Sequence, residues 1–303
     1  MISQEQYVKQ LLDRFSMTEC NPKTTPMSPN SRLLKSDCPA PGTGDKKLIR
    51  KYQQLVGAFL YLSSWTRPDI AFVVNQCAKF MSNPGPSHLS AAKRILQYLK
   101  GTAHLCITYC QQDSEDNWHM ANLMWGYADA DHTGDPESRK SVTGYVMLLN
   151  GGAVLWSSTC QVIVALSSSE AEFYATSAAG QDVCYLRMLM DQLGCVQIQP
   201  TLVFEDNWSC IYLSWNSTMY KKSKLIDVRV YHLRNLCNDG TMTLEKVTTG
   251  EQAADTFTKA LPQTAFEMHC ETMMGKPLPR TVAVVGLTLH ALSMPNHKCK
   301  SRL

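Results

Sequence analysis

The order of predicted strands and helices between residues 123 and 247 constrains the fold more than any other feature of the sequence. Three short runs rich in β-branched and aromatic residues come first, LMWGYAD, VTGYVMLL and AVLWSS, with Gly151-Gly152 as a hairpin-like turn between the last two. The chain then alternates: a helix from Ser168 to about Leu193, a strand from Thr201 to Glu205, a short helix after Asp206, a helix from Ile226 to Leu236, the strand MTLEKV, and a helix opening near Thr249. This order predicts an α/β fold, with helices packed on the faces of a mixed sheet.

The part of the chain before this sheet is predicted to be mainly helical. The segment from Glu5 to Phe15 has apolar residues at helical spacing, and the Pro-rich stretch from Pro22 to Pro41 that follows reads as a linker or surface loop. Three further helices are expected: Lys47 to Ser64, a helix with Pro68 in its first turn, and Ser87 to Leu99 ended by Gly101.

Composition narrows the class of protein. The 303 residues allow two ordinary domains, and 44% hydrophobic with 18% charged residues is typical of a globular chain with a core. No apolar run approaches the roughly 20 residues that span a bilayer, so no membrane partner is expected. The 12 Cys include no CxxC pair, which favours a reduced intracellular setting. Cys106 and Cys110, with His119 downstream, have poor zinc spacing, and a metal there is not favoured.

Acidic residues at the ends of two predicted strands are the first candidates for chemistry. Asp129 ends the first strand within WGYADADHTGD, and Asp206 follows the strand TLVFE. If these strands are parallel neighbours, the two carboxylates lie side by side, and divalent cations between them would offset the repulsion. The alternative for Asp206 is an N-cap of the helix that follows.

Two more acids lie early in predicted helices. Ser167 and Glu170 have the spacing of a capping box, which gives Glu170 a structural role and leaves Glu172, roughly 200° around the helix, free to face the sheet. Thr248 and Glu251 have the same spacing and can cap the last predicted helix. Asp255 then lies one turn further into that helix. The alternative for Asp255 is a favourable charge near a helix N-terminus.

Several motifs in a fixed order resemble one known family. The runs GYADADHTGDPESRKSVTGYV, LWSSTCQVIVALSSSEAEFYA, EDNWSCIYL and EQAADTFTKALP are similar to the ribonuclease H domain of copia-type retrotransposon Pol polyproteins. Upstream, YQQLVGAFLYLSSWTRPDIAF and HLSAAKRILQYLKGT resemble the segment that joins the reverse transcriptase to that domain. The resemblance implies a helical segment over 1–115 similar to the reverse transcriptase thumb or connection, a ribonuclease H-like domain with a five-stranded mixed sheet over 120–265, and an unassigned tail over 274–303.

The resemblance also implies an activity. It aligns four residues with the family's catalytic, metal-binding acids: Asp129, Glu172, Asp206 and Asp255. Two Mg²⁺ ions, with Mn²⁺ as a possible substitute, would then serve the hydrolysis of the RNA strand of an RNA–DNA hybrid inside the cell, in a cytoplasmic particle or the nucleus. Three basic residues are candidates for phosphate contacts, with solvated helix faces as the alternative: Lys93, Arg94 and Lys100.

Some features depart from the family pattern. Trp208, Cys210 and Leu225 stand where the family usually has Gln, Ala and often His, and no Asp-Asp pair, the signature of the polymerase palm, occurs in the chain. The chain therefore resembles a C-terminal remnant of Pol that would work with a polymerase part supplied elsewhere. The alternative function is a catalytically inactive, nucleic-acid-binding remnant.

Overall fold

The computed structural model describes residues 1–29, 31–109, 122–215 and 224–275. Cys110, His119, the side chain of Leu225 and the tail from residue 276 onward lie outside the described residues. Among the helices of the described part, none has both the length and the apolar composition needed to cross a membrane.

Five strands form one mixed sheet in the order β3-β2-β1-β4-β5. Their bounds are β1 Met124–Asp131, β2 Val142–Leu149, β3 Gly152–Cys160, β4 Thr201–Glu205 and β5 Met242–Lys246. The first three strands pair antiparallel, whereas β4 runs parallel to both β1 and β5. This is the five-stranded mixed sheet that was predicted, and the strands β2 and β4 have the predicted bounds.

The hairpin between β2 and β3 turns one residue earlier than predicted. Asn150 and Gly151 occupy its centre with φ angles of 50° and 87°, and Gly152 already pairs with Leu149 as the first residue of β3. A two-residue hairpin turn with positive φ at both central positions is of the type that favours Asn-Gly. The prediction of Gly151-Gly152 as the turn is therefore wrong by one position.

Helices pack on both faces of the sheet. Their bounds are α1 Glu5–Arg14, α2 Lys46–Trp65, α3 Ala71–Ala78, α4 Pro86–Gly101, α5 Ser168–Gln192, α6 Trp208–Trp215, α7 Lys224–Asn238 and α8 Gln263–Met273. Because neighbouring strand residues point to opposite faces, β1 contributes Met124 and Ala128 to one core and Trp125 and Tyr127 to another. The first core is shared with α5, α6 and α7, and the second with the N-terminal helices and α8.

The N-terminal helical segment shares this second core with the sheet. Phe59 of α2 and Leu96 of α4 are fully or almost fully buried in the same cluster as Trp125. At the edge strand, the indole N–H of Trp156 donates to the carbonyl of Ser63 at 2.7 Å. Burial of a continuous apolar surface is the main source of stability in such a fold, so the segment forms part of the structure that carries the sheet.

A buried ion pair lies at the start of α3, where a short 3₁₀ helix, Pro68–Ile70, precedes the α-helix. The guanidinium of Arg67, 2% exposed, donates to Asp69 at 2.7 Å, and the phenol of Tyr98 donates to the same carboxylate at 2.6 Å. Each buried charge thus has a partner, as burial of charged groups requires.

The helix predicted to open near Thr249 begins at that residue but is not a regular α-helix. Two short 3₁₀ helices, Thr249–Glu251 and Ala253–Phe257, lie there, and the next regular helix, α8, was not predicted. Gln252 separates the two with a non-helical backbone, φ −73° and ψ 93°. Its buried amide donates to the carbonyl of Ala128 at 2.9 Å and accepts from the N–H of Ala254 at 3.3 Å, so tertiary hydrogen bonds hold this residue out of a helix.

Candidate metal centre

The parallel pairing of β1 with β4 brings two of the predicted acids to one edge of the sheet. Tyr127 pairs with Phe204, and Asp129 and Asp206 each follow two residues later. Glu172 reaches the same edge from the first turns of α5. One carboxylate oxygen of each acid, Asp129, Glu172 and Asp206, lies within 4.8 Å of the other two. Carboxylate oxygens at such separations are suited to bind a hard divalent cation between them.

Glu172 has an oxygen that the protein leaves without a partner. The side chain is 6% exposed, and its Oε2 atom is buried with no hydrogen bond. Burial foremost, and then the charges of Glu205 and Asp129, raise the pKa of this carboxyl group well above its ordinary value. A buried carboxylate oxygen without a donor is costly, and a cation is a partner that removes the cost. The donor set therefore fits a divalent metal ion.

Hydroxyl groups hold the other two acids in place. The side chain of Thr258 donates to Asp129 Oδ2 at 2.6 Å, and that of Thr249 donates to Asp206 Oδ2 at 2.9 Å. Hydrogen bonds of this kind fix the orientation of a carboxylate, as they do behind the ligands of known metal sites.

The N-cap interpretation of Asp206 is wrong. Asn207 performs that role, because its Oδ1 atom accepts from the backbone N–H of Ser209 at 2.9 Å and of Cys210 at 3.3 Å. Asp206 is consequently left with the hydrogen bond from Thr249 and with its two acidic neighbours.

Asp255 lies beside Asp129 and outside the group of three. It is 4% exposed, and its Oδ1 atom is 2.7 Å from the ammonium of Lys259. Burial foremost, and then the neighbouring Asp129, raises the pKa of Asp255 to about 7. Its role as a ligand stays a prediction.

Ser167 caps α5, and the contact made by the Glu170 carboxylate differs from that of the predicted box. Ser167 Oγ accepts from the backbone N–H of Glu170 at 3.1 Å, as expected. The carboxylate of Glu170, however, accepts from the N–H of Leu166 at 2.7 Å and not from that of Ser167. The first turn of α5 is therefore tied to the loop before it.

Sequence analysis missed one buried acid, Glu205, the last residue of β4. It is fully buried; its Oε1 accepts from the N–H of Asn207 at 3.0 Å, and its Oε2 lies 2.7 Å from Thr176 Oγ1. That hydroxyl is also 2.9 Å from the carbonyl of Glu172, and its single proton cannot serve both oxygens. Thr176 is placed as the donor to Glu205, and protonation of Glu205 would allow the acid to donate instead and leave the hydroxyl proton for the carbonyl of Glu172.

Burial raises the pKa of the Glu205 carboxyl group to about 8. The hydrogen bonds from Thr176 and Asn207 oppose this rise, and the charges of Asp129 and Asp206 add to it. One sequence feature could have indicated Glu205: it ends the apolar strand TLVFE and directly precedes Asp206.

The basic residues predicted to contact phosphate lie on α4. Lys93 is exposed, whereas Arg94 donates to Thr25 Oγ1 at 3.0 Å and Lys100 donates to the carbonyl of Cys20 at 2.8 Å. The last two side chains thus hold the segment that precedes α2, and contact with nucleic acid stays a prediction for all three.

The two described departures from the family pattern fit this structure. Cys210 is fully buried, 3.6 Å from the hydroxyl of Thr176, so a thiol fills that part of the core. Trp208 is 66% exposed, and the ammonium of Lys246 lies 5.9 Å from the centre of its ring.

Comparisons with known proteins give related sequences, although no protein-family model matches the chain. It is 36% identical over 275 residues to the retrovirus-related Pol polyprotein from transposon TNT 1-94 of Nicotiana tabacum, covering 90% of this chain and 20% of that protein. It is 34% identical over 268 residues to the Pol polyprotein from transposon RE1 of Arabidopsis thaliana, covering 88% and 17%. The chain thus spans no more than 20% of the length of either relative. Among solved structures, LC11-RNase H1, isolated from compost by a metagenomic approach, is 18% identical with a TM-score of 0.36 and covers 45% of this chain and 93% of its own.

Proposed function

The chain belongs to the copia-type retrotransposon Pol polyproteins, and from that premise we propose that residues 120–265 act as their ribonuclease H, hydrolysing the RNA strand of RNA–DNA hybrids with two Mg²⁺ ions. The observation that carries the proposal is the convergence of Asp129, Glu172 and Asp206 within 4.8 Å. These residues match the acids of the family motif, and two of them are buried despite their charge.

The acids of the site would hold the ions as follows. Asp129 and Asp206 would be shared ligands, Glu172 would bind one ion through its unpartnered oxygen and orient the 2′-hydroxyl, and Asp255 would complete the shell of the other. When bound by these acids, Mg²⁺, or Mn²⁺ in its place, would supply Lewis-acid chemistry for attack of water on the phosphate and for departure of the 3′ oxygen.

The remaining residues of the site orient and insulate these ligands. Thr258 and Thr249 keep Asp129 and Asp206 turned toward each other by the hydrogen bonds described above. Glu205, held neutral, lets a carboxyl group lie behind Asp206 without adding a negative charge to the cluster.

Recognition of the substrate would rest on the shape of the hybrid. The wide minor groove of an A-like duplex displays the 2′-hydroxyls that distinguish RNA from DNA. Phosphate contacts from Lys93, Arg94 and Lys100 would add affinity that weakens with salt. A polymerase part of Pol is the proposed protein partner, and we place the reaction inside the cell, in a cytoplasmic particle or the nucleus.

The test is cleavage of the RNA in an RNA–DNA hybrid by the purified chain, with and without Mg²⁺. Asp206→Asn removes the charge that a hard cation requires, and the cap of α6 remains because Asn207 provides it. We expect the variant to keep the melting temperature of the parent and lose nearly all cleavage, whereas Asp13→Asn, on the exposed face of α1, keeps full activity. A parent that binds hybrid and never cuts it, over a range of Mg²⁺ and Mn²⁺ concentrations, would establish the inactive binding remnant instead.

A further inference from the structure

The acid cluster contains a cation of its own. The ammonium of Lys259 lies 2.7 Å from Asp255 Oδ1, one helical turn away along the chain. The side chain of Lys259 is 39% exposed and that of its partner 6%, so the contact lies at the boundary between the buried acids and solvent. A pair in that position is screened less than one on an open surface.

More than one carboxylate surrounds this ammonium. Burial by itself lowers the pKa of Lys259, but the hydrogen bond to Asp255 and the charges of Asp129, Asp255 and Asp131 outweigh burial and raise it. Asp131 itself is two residues beyond Asp129 at the end of β1, and burial raises its pKa. The positive charge of Lys259 therefore lies close to three negatively charged groups, those of Asp129, Asp255 and Asp131.

The chain places Lys259 there by the same segment that orients the ligands. Thr258, its neighbour, donates to Asp129, and Asp255 precedes it by one turn. Two consecutive residues directly after the second 3₁₀ helix thus contact two acids: the hydroxyl of Thr258 contacts Asp129, and the ammonium of Lys259 contacts Asp255.

We propose that Lys259 is a placeholder cation, which neutralises Asp255 in the metal-free protein and must release this carboxylate before it can bind a metal ion. The inference rests on the proposed metal site and assigns a positioning role to a residue outside the four acids. An ammonium 2.7 Å from Asp255 Oδ1 repels a second cation at the same carboxylate, so the two compete. Lys259 then lowers the affinity of the ion that Asp255 binds and leaves the ion held by Asp129, Glu172 and Asp206 less affected.

The test is calorimetric titration of the full chain with Mn²⁺, which needs no substrate and no turnover. Lys259→Met keeps the length of the side chain and removes its charge. We expect the binding event that involves Asp255 to tighten about tenfold, which lies within the usual range of coupling between two ligands, because the competing ammonium is gone. The titration is run at about pH 9, where protons compete little for the freed carboxylate.

A double-mutant cycle separates competition at Asp255 from a general effect of charge. In the Asp255→Asn background, Lys259→Met should leave Mn²⁺ affinity unchanged, because the carboxylate for which the two cations compete is gone. Lys259→Arg keeps the charge and should bind Mn²⁺ like the parent. Melting temperatures in EDTA show whether each variant is folded.

Three outcomes overturn the inference. If Lys259→Met raised Mn²⁺ affinity equally in the parent and in the Asp255→Asn background, Lys259 would act only by long-range repulsion. If Lys259→Met raised Mn²⁺ affinity in neither background, Lys259 would not compete with the metal ion. Absence of Mn²⁺ binding in both the parent and Lys259→Met would remove the metal site and the inference together. Tight Mn²⁺ binding with the expected cycle, but without hybrid cleavage, would support the inference and count against the proposed activity alone.

Discussion

Glu205→Gln should make the metal-free protein more stable than the parent at neutral pH. In the folded parent, the carboxyl group of Glu205 is fully buried, and burial raises its pKa from 4.5 to about 8. The folded state therefore binds more protons than the unfolded state between these two pH values, and the free energy of unfolding falls as pH rises through that window. Glutamine has no proton to lose and keeps both hydrogen bonds, because its amide can donate to Thr176 and accept from Asn207.

The magnitude follows from the linkage relation. Each pH unit between about 5 and 8 should widen the difference in free energy of unfolding, variant minus parent, by about 1.4 kcal/mol. From the ordinary pKa of 4.5 up to pH 7, the accumulated difference is roughly 3 kcal/mol. Below the ordinary pKa the contribution of Glu205 is fully present in the parent, so the two proteins should converge there.

Urea denaturation in EDTA at a series of pH values measures this difference. Glu19→Gln makes the same chemical change at an exposed position and should give no such slope. A difference between Glu205→Gln and the parent that stays constant from pH 5 to pH 8 would refute the reasoning, because it would mean that Glu205 is ionised in the folded protein.

Four further substitutions test other contacts. Asp69→Ala leaves the guanidinium of Arg67 buried without its partner and should cost about 3–5 kcal/mol of the free energy of unfolding in urea, and a cost below about 1 kcal/mol would contradict the role of the pair. Glu170→Ala should cost about 1 kcal/mol of the free energy of unfolding and keep Mn²⁺ affinity. Glu172→Ala should abolish, in calorimetry, the binding of the one Mn²⁺ ion that Glu172 would hold, and equal losses in the two variants would contradict this division. Thr258→Val removes the hydroxyl that orients Asp129 and should weaken Mn²⁺ binding about tenfold, and an unchanged affinity would show that the contact has no such role.

Where local patterns decided the structure, the sequence was sufficient to predict it. The strand Val142–Leu149 and the helix Ser168–Gln192 have strong periodicity and clear boundaries, and both were predicted to within one residue. The hairpin turn was displaced because Asn150 accepts a positive φ almost as well as glycine, so two neighbouring dipeptides were both plausible turns. Glu205 was missed because neither its buried hydrogen bond to Thr176 nor its neutral state can be read from a strand pattern.

The segment from Thr248 to Lys259 shows why prediction failed at the site itself. Its spacing suits a helix, but a regular helix would present its side chains at fixed angles on one cylinder. The observed segment instead sends four side chains to four different places: Thr249 to Asp206, Gln252 to the backbone of Ala128, Thr258 to Asp129, and Lys259 to Asp255. Two short 3₁₀ helices with a non-helical residue between them accompany all four contacts. The irregular backbone of this segment thus coincides with tertiary contacts, three of them to acids, and local propensity gives way to such contacts here.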